Sequence, residues 1–295
     1  MSHQNPLKNP VVVRLDGGLG NQMFQYAAGL DLAKRLGTTL YLDPRQYETY
    51  TLHGFALSDW NISATIAPSH ILNQVHPLRI RLGQKIPFLL GRSRFFKESS
   101  LAFDPAWHSI QHGKWLLGYF QSEQYFSTAR ARLLQEFTLR KPLGMHAEQC
   151  SNAIQNSNAV AVHVRRGDYI SNPVTLQIHG VCSPAYYQQA IQSITQRVEQ
   201  ARFFVFSNDP QWAQANIAWP EGTCFVNSGE SSPAVDLALM AMCKHHIIAN
   251  SSYSWWGAWL SLFDQGIKIA PKPWFDDPTY PEQTLVPVQW ERIQK

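Results

Sequence analysis

A chain of 295 residues is long for one hydrophobic core and comfortable for two domains. With 44% hydrophobic and 16% charged residues it reads as a folded globular protein, which excludes a disordered or low-complexity chain. The net charge of +4, from 25 Lys and Arg against 21 Asp and Glu, is too mild to mark a nucleic-acid binder.

Met1–Pro10 is polar and lacks an apolar signal core. No run of about 18 apolar residues follows, so a cytoplasmic protein without a membrane anchor is expected. Residues 11–15, Val-Val-Val-Arg-Leu, read as a buried strand, followed by a tight turn at Gly17, Gly18 and Gly20. From Asn21 the period becomes helical, with Met23, Tyr26, Ala27, Leu30 and Ala33 on one face and Gly37 as the stop. Thr38–Leu42 reads as a second strand, which completes the β-loop-α-β opening of a Rossmann-like half. Residues 44–114 carry no regular pattern. Within them, 79–97 holds Arg79, Arg81, Lys85, Arg92, Arg94 and Lys97 without an acid. That stretch is either a solvated insert or a patch for peripheral contact with the inner membrane. Trp115–Phe120 reads as a strand and 122–137 as an amphipathic helix, and Pro142 and Gly144 suggest a linker.

The second half is more regular. Candidate strands are Ala159–Arg165, Arg202–Ser207, Thr223–Val226, His246–Asn250 and Ile267–Ala270. Three helix starts stand out between them: Ser183-Pro184, Asp209-Pro210 and Ser232-Pro233, each a capping side chain followed by proline at the first helical position. Alternation of β and α argues for a parallel sheet covered on both faces. The expected architecture is GT-B-type, with Rossmann-like domains at 1–145 and 146–295 facing each other across a cleft. The ten Trp and eleven Tyr suit sugar and base recognition as well as core filling. The four Cys form no C-x-x-C pair and no readable disulfide framework.

In an open α/β sheet, ligands bind beyond the carboxyl ends of the strands. The unusual polar clusters fall there. Arg165-Arg166-Gly167-Asp168 follows one strand, Ser207-Asn208-Asp209 the next, and Asn250-Ser251-Ser252-Tyr253-Ser254 another. The last also opens a helix, whose free N–H groups suit an anion, while arginines offer forked donors to phosphate. A phosphate-bearing ligand is expected on these grounds alone. The competing reading is that Arg165 and Asp168 pair with each other to hold the loop. Cys243, His245 and His246 resemble metal ligands but read better as a helix end and a strand start.

Four blocks in order make the chain resemble the bacterial α-1,2-fucosyltransferases, glycosyltransferase family eleven. They are Gly17-Gly18-Leu19-Gly20-Asn21-Gln22-Met23-Phe24-Gln25-Tyr26-Ala27, His163-Val164-Arg165-Arg166-Gly167-Asp168-Tyr169, Phe206-Ser207-Asn208-Asp209, and Asn250-Ser251-Ser252-Tyr253-Ser254-Trp255-Trp256-Gly257-Ala258-Trp259. The resemblance implies a GT-B fold, GDP-fucose as donor, inversion at the sugar carbon, and transfer to the 2-hydroxyl of a terminal galactoside in an oligosaccharide or lipid-linked glycan. It implies Asn21, Arg165 and Arg166 as catalytic residues, the arginines holding the β-phosphate of the leaving group. Donor-binding roles are carried over to Gly18, Gly20, Gln22, His163, Asp168, Ser207, Asn208, Asp209, Asp236, Asn250, Ser251, Ser252, Tyr253 and Ser254. Asp236 falls where related enzymes place a guanine-binding acid.

The acceptor hydroxyl must lose a proton during attack, and Asp16, Asp31 and His53 all remain open as its base. No two Asp are spaced as Asp-x-Asp, and Asp276-Asp277 reads as a polar turn, so no metal and no other cofactor are expected. Two alternatives stand beside this reading: a GT-B transferase using another nucleotide sugar, and a glycan- or nucleotide-binding module without turnover. A dinucleotide oxidoreductase fits less well, because Gly17-Gly18-Leu19-Gly20 is followed by Gln22 where G-x-G-x-x-G needs glycine.

Overall fold

A computed structural model describes residues 9–49, 52–75, 94–229 and 232–295. Most of the basic stretch 79–97 lies outside them; of its six cations only Arg94 and Lys97 are described. The chain divides into two compact units, Met1–Phe137 and Thr138–Lys295.

The N-terminal unit is built on five parallel strands: β1 (Val11–Arg14), β2 (Leu40–Asp43), β3 (Thr65–Ile66), β4 (Phe95–Lys97) and β5 (Trp115–Leu117). Their order is β3-β2-β1-β5-β4. The helix between β1 and β2 runs Leu19–Leu36. Gly37 ends it in the left-handed region at φ 60°, where a side chain would cost about 1 kcal/mol. The helix starts two residues earlier than its apolar period suggests, with Gly18 as the N-cap. The expected strand over 115–120 stops at Leu117. Beyond it, the N–H groups of Tyr119 and Phe120 turn to the carboxylate of Glu98 instead of a neighbouring strand. The expected single helix over 122–137 is two pieces, a 3₁₀ turn at Glu123–Phe126 and an α-helix at Arg130–Glu136. The break has a cause: Asp31 Oδ1 accepts from both the N–H and the hydroxyl of Thr128, at 3.2 and 2.5 Å, and draws the chain off the helical path.

The C-terminal unit carries six strands: β6 (Asn158–Val164), β7 (Ala201–Ser207), β8 (Cys224–Phe225), β9 (His245–Ile247), β10 (Lys268–Lys272) and β11 (Glu291–Gln294). All pairs are parallel and the order is β11-β10-β9-β6-β7-β8. β6 alternates between two cores. Val160, Val162 and Val164 pack with Tyr186, Ile191 and Ile194 of the Pro184–Thr195 helix. Ala159 and Ala161 face Ile154, Leu239 and Met240 from the Met145–Gln155 and Pro233–Met242 helices. A strand buried on both faces and flanked by helices is the doubly wound arrangement that the β/α alternation predicts. The three proline-marked starts cap as expected: Ser183 accepts from Tyr186 N, Asp209 from Trp212 N and Ser232 from Ala234 N.

Among the described residues no helix is long and apolar enough to cross a membrane.

Candidate functional site

In the C-terminal unit the chain winds from β6 through β7 to β8 on one side, then returns to place β9 on the other side of β6. The loops leaving β6 and β9 therefore run from a topological switch point, the position where open α/β sheets hold ligands. Two of the polar clusters read from the sequence sit on these loops, Arg165–Asp168 after β6 and Asn250–Ser254 after β9. They are tied together by Tyr169, whose hydroxyl donates to Asn250 O at 3.2 Å.

The two arginines have different surroundings. The Arg166 guanidinium lies 3.6 Å from the ring centre of Trp212, with Nε 3.8 Å from Asp209 Oδ2. Its backbone N–H donates to Asn208 Oδ1 at 2.9 Å. Arg165 lies 5.5 Å from the Tyr169 ring, on the side of the loop toward β9. Next to it on β6, His163 is 4% exposed, and its Nδ1 is buried without a hydrogen-bond partner. Burial, helped by the Arg165 charge, lowers its pKa to about 3, so the imidazole is neutral. Its ring faces Tyr253 at 5.6 Å.

On the β9 side, Ser251 caps the Ser252–Leu260 helix by accepting from Tyr253 N at 3.3 Å. The open first turn of this helix is an anion-binding end. Asp236 sits in the first turn of the Pro233–Met242 helix, and the Tyr253 hydroxyl reaches that helix by donating to Pro233 O at 2.5 Å. Asp236 Oδ1 is buried and accepts no hydrogen bond, and burial raises its pKa. A buried carboxylate oxygen with nothing to accept is an open acceptor for a ligand donor.

Several expected donor contacts are bracing groups instead. Asn250 is 1% exposed; its amide donates to His179 O at 2.7 Å, Trp274 O at 3.1 Å and Gly180 O at 3.4 Å. Ser254 Oγ turns back to Ala249 O and Ser251 O, both at 3.4 Å. Ser207 Oγ accepts from Asp209 N, while Asn208 and Asp209 hold the β6 loop and cap a helix. The side chain of Asp168 lies outside the described residues. A brace that the sequence reading missed is Lys295, whose ammonium donates to the carbonyls of His179 and Trp274 and pairs with Asp276 at 2.9 Å. Asp276 is thus more than a polar turn, and its pairing with Lys295, nineteen positions on, leaves no local signal. The metal-like trio resolves into structural contacts: His246 Nε2 meets Met240 O at 2.9 Å, and His245 Nδ1 accepts from Ile267 N at 3.1 Å. Among the described residues no group of three or more His, Cys, Asp or Glu is placed to hold a metal ion.

The N-terminal unit has its own switch point between β1 and β5. A crevice of about 120 Å³ opens there, lined by Arg14, Asp16, Gln25, Leu117, Gly118 and Tyr119. Gln25 straps it, accepting from Asp16 N and donating to Gly118 O, both at 3.0 Å. Gln22 is fully buried and bonded at both ends of its amide: it donates to Gly17 O and Gly54 O and accepts from Ala56 N. It therefore holds the glycine turn and offers nothing to a donor. Gly18 is the N-cap of the Leu19–Leu36 helix and Gly20 is buried within its first turn, one residue before Asn21. Asn21 is consequently no cap; its Oδ1 accepts from Gln121 Nε2 at 2.8 Å. Of the three candidate bases, Asp31 is 6% exposed and bonded to Thr128, His53 lies over Gly18, and Asp16 lines the crevice. Gly118 and Tyr119 escaped the sequence reading because the strand was carried through to Phe120. Ending it at Leu117 would have put both at a strand end.

Residues 2–294 match the family described as Glycosyl transferase family 11. The chain is 39% identical over 291 residues to the alpha-1,2-colitosyltransferase of Escherichia coli, covering 97% of this chain and 99% of that protein. It is 33% identical over 285 residues to the O-antigen biosynthesis glycosyltransferase WbnK of Escherichia coli, covering 88% and 93%. It is 28% identical over 262 residues to galactoside alpha-(1,2)-fucosyltransferase 2 of Bos taurus, covering 86% and 70%. Among solved structures, a point mutant of Arabidopsis thaliana FUT1 in complex with GDP aligns with a TM-score of 0.52 at 12% identity, covering 97% of this chain and 76% of that one. The NodZ alpha-1,6-fucosyltransferase soaked with GDP-fucose aligns at 0.50 and 16%, covering 93% and 97%. At these identities the two structures speak for the fold.

Proposed function

Because this chain belongs to glycosyl transferase family 11, we propose that it transfers a 6-deoxyhexosyl group from a GDP-sugar to the 2-hydroxyl of a terminal galactoside. The observation that carries this reading is the meeting of the β6 and β9 loops, which brings Arg165 and the start of the Ser252–Leu260 helix to one switch point. As the bond from the anomeric carbon to the β-phosphate oxygen breaks, negative charge gathers on the departing GDP. A fixed guanidinium and helix N–H groups stabilise that charge without reorganisation. The neutral His163 packs beneath them. Asp236, with its open buried oxygen, takes the N–H donors on one edge of guanine, a pairing that adenine cannot offer.

The acceptor belongs to the N-terminal unit. Its crevice is lined by Asp16, and in this reading that carboxylate receives the proton as the galactoside oxygen bonds to the anomeric carbon with inversion. The positive field comes from protein groups, so the reaction needs no divalent metal.

Fucose is the first donor. Colitose is the second, favoured by the 39% identical colitosyltransferase. Colitose is fucose without its 3-hydroxyl. A pocket that hydrogen-bonds that hydroxyl discriminates strongly against the sugar lacking it, whereas a pocket shaped for the deoxy carbon discriminates weakly. The deciding experiment offers GDP-fucose, GDP-colitose and other nucleotide sugars with a β-galactoside acceptor, in chelated buffer with metal-stripped enzyme. NMR of the product reads donor and linkage together. Transfer only from another nucleotide sugar, or a linkage other than α-1,2, overturns the assignment. Activity that appears only when Mg²⁺ or Mn²⁺ is restored overturns the metal-free account.

A further inference from the structure

The loop after β5 forms one wall of the N-terminal crevice, and its shape is costly. Phe120 is a non-glycine residue at φ 54°, a region that disfavours side chains by about 1–2 kcal/mol. Such a residue persists only where its surroundings over-determine it. Here the surroundings can be named. Glu98 follows β4, and its own N–H donates to Leu117 O at 2.9 Å across the β4–β5 pair. Its carboxylate, 9% exposed, accepts from Tyr119 N at 2.8 Å and from Phe120 N at 3.1 Å. The approach depends on Gly118, where an added Cβ would lie 2.5 Å from Glu98 Cβ. The Phe120 ring is locked against Phe96, Trp107 and Tyr125. On either side of the turn, Gln25 holds Gly118 O and Gln121 reaches Asn21.

We propose that Glu98 is a positioning residue for the acceptor: it fixes the left-handed turn at Phe120 and thereby sets Tyr119 in the crevice wall beside Asp16 and holds Gln121 on Asn21. The proposal rests on the transferase reading and adds a specificity-bearing wall to it. Oε2 accepts from both adjacent N–H groups and Oε1 shares that of Phe120, so the carboxylate grips the turn with both oxygens. Burial pushes this carboxyl up to about 7 against the pull of those bonds, so it is held in place at a cost in solvation. Every group in this grip belongs to the N-terminal unit.

The test uses full-length Glu98→Gln and Glu98→Ala. Amide hydrogen exchange at Tyr119 and Phe120 reads the grip, steady-state kinetics with galactoside reads its use, and calorimetry with GDP reads the other unit. Glu98→Ala is expected to expose both amides and lower acceptor kcat/KM on the order of 10²-fold, as misplacement of positioning groups does. GDP affinity is expected to stay unchanged. Glu98→Gln keeps one acceptor oxygen and is expected to fall between. Unchanged exchange at the two amides overturns the grip. Exposed amides with wild-type acceptor kinetics overturn the positioning role. Parallel loss of GDP affinity shows a general structural role and overturns it as well. Absence of transfer by the wild-type enzyme would defeat the function and not the grip, which the exchange measurement decides by itself.

Discussion

At the residue scale, the paired arginines illustrate how similar side chains acquire different work. Arg166 meets Trp212 and Asp209, whereas Arg165 meets Tyr169, whose hydroxyl bonds the β9 loop, and lies beside the neutral His163. Arg165→Ala should therefore lower kcat on the order of 10²-fold or more at saturating donor. Arg166→Ala should act less strongly and through the loop. Equal losses in the two variants, or near-wild-type turnover by Arg165→Ala, would contradict this division. Asp16→Asn keeps the shape of the crevice and removes the base, so kcat should fall on the order of 10²-fold with little change in acceptor KM. A wild-type rate would remove Asp16 from the chemistry. Asp236→Ala should weaken GDP, since it removes the open buried Oδ1, and it also removes the carboxylate's hydrogen bond with Ser228. Calorimetry showing unchanged GDP affinity would sink the guanine role.

At the scale of elements, the meeting of the β6 and β9 loops is a product of winding. β6 and β9 are neighbours although about eighty residues separate them, and the loops they end in are clamped from behind. Asn250 is the clamp, joining the segments at His179–Gly180 and Trp274, with Lys295 sharing two of the same carbonyls. Removing the buried amide takes the Asn250 donor from Gly180 O and one of two donors from each of the His179 and Trp274 carbonyls, so Asn250→Ala should cost about 2 kcal/mol of stability. Urea unfolding measures it, and an unchanged midpoint would show that Lys295 alone suffices. Ser254→Ala, by contrast, removes only weak back-bonds at 3.4 Å and serves as the control four residues on.

For the whole molecule, two buried neutral histidines set a direction in pH. His163 and His246 both have pKa values lowered from 6.5 to about 3 by burial. In the unfolded chain they would take up protons below the ordinary value, while the folded chain refuses them. The unfolded state then binds more protons, so stability is present above the unfolded pKa and is lost as pH falls from 6.5 toward 3. The loss amounts to about 1.4 kcal/mol per pH unit for each imidazole. Urea midpoints should drop on acidification through this window, and His246→Gln should flatten the slope. A slope unaffected by that substitution would mean that His246 titrates equally in both states.

Much of this protein was legible in the chain by itself. Hydrophobic period, proline-marked caps and glycine stops located the first helix and the three capped helices of the second half, because these signals act within a few residues. The clusters at Arg165, Ser207 and Asn250 pointed to the strand ends for the same reason. What the sequence could not decide was the task of each polar side chain, since that depends on partners far away. Gln22 and Asn250 are as polar as any ligand-binding residue, yet their amides are saturated by carbonyls 5–71 positions distant. The first helix begins at Leu19, two residues before its apolar period takes hold at Asn21. Glu98 carried no motif, and only the pairing of β4 with β5 sets its carboxylate under the turn at Phe120. Local geometry is written in neighbouring residues, whereas burial and long-range hydrogen bonding exist only after the sheets have formed, and those two quantities separate a brace from a binding group.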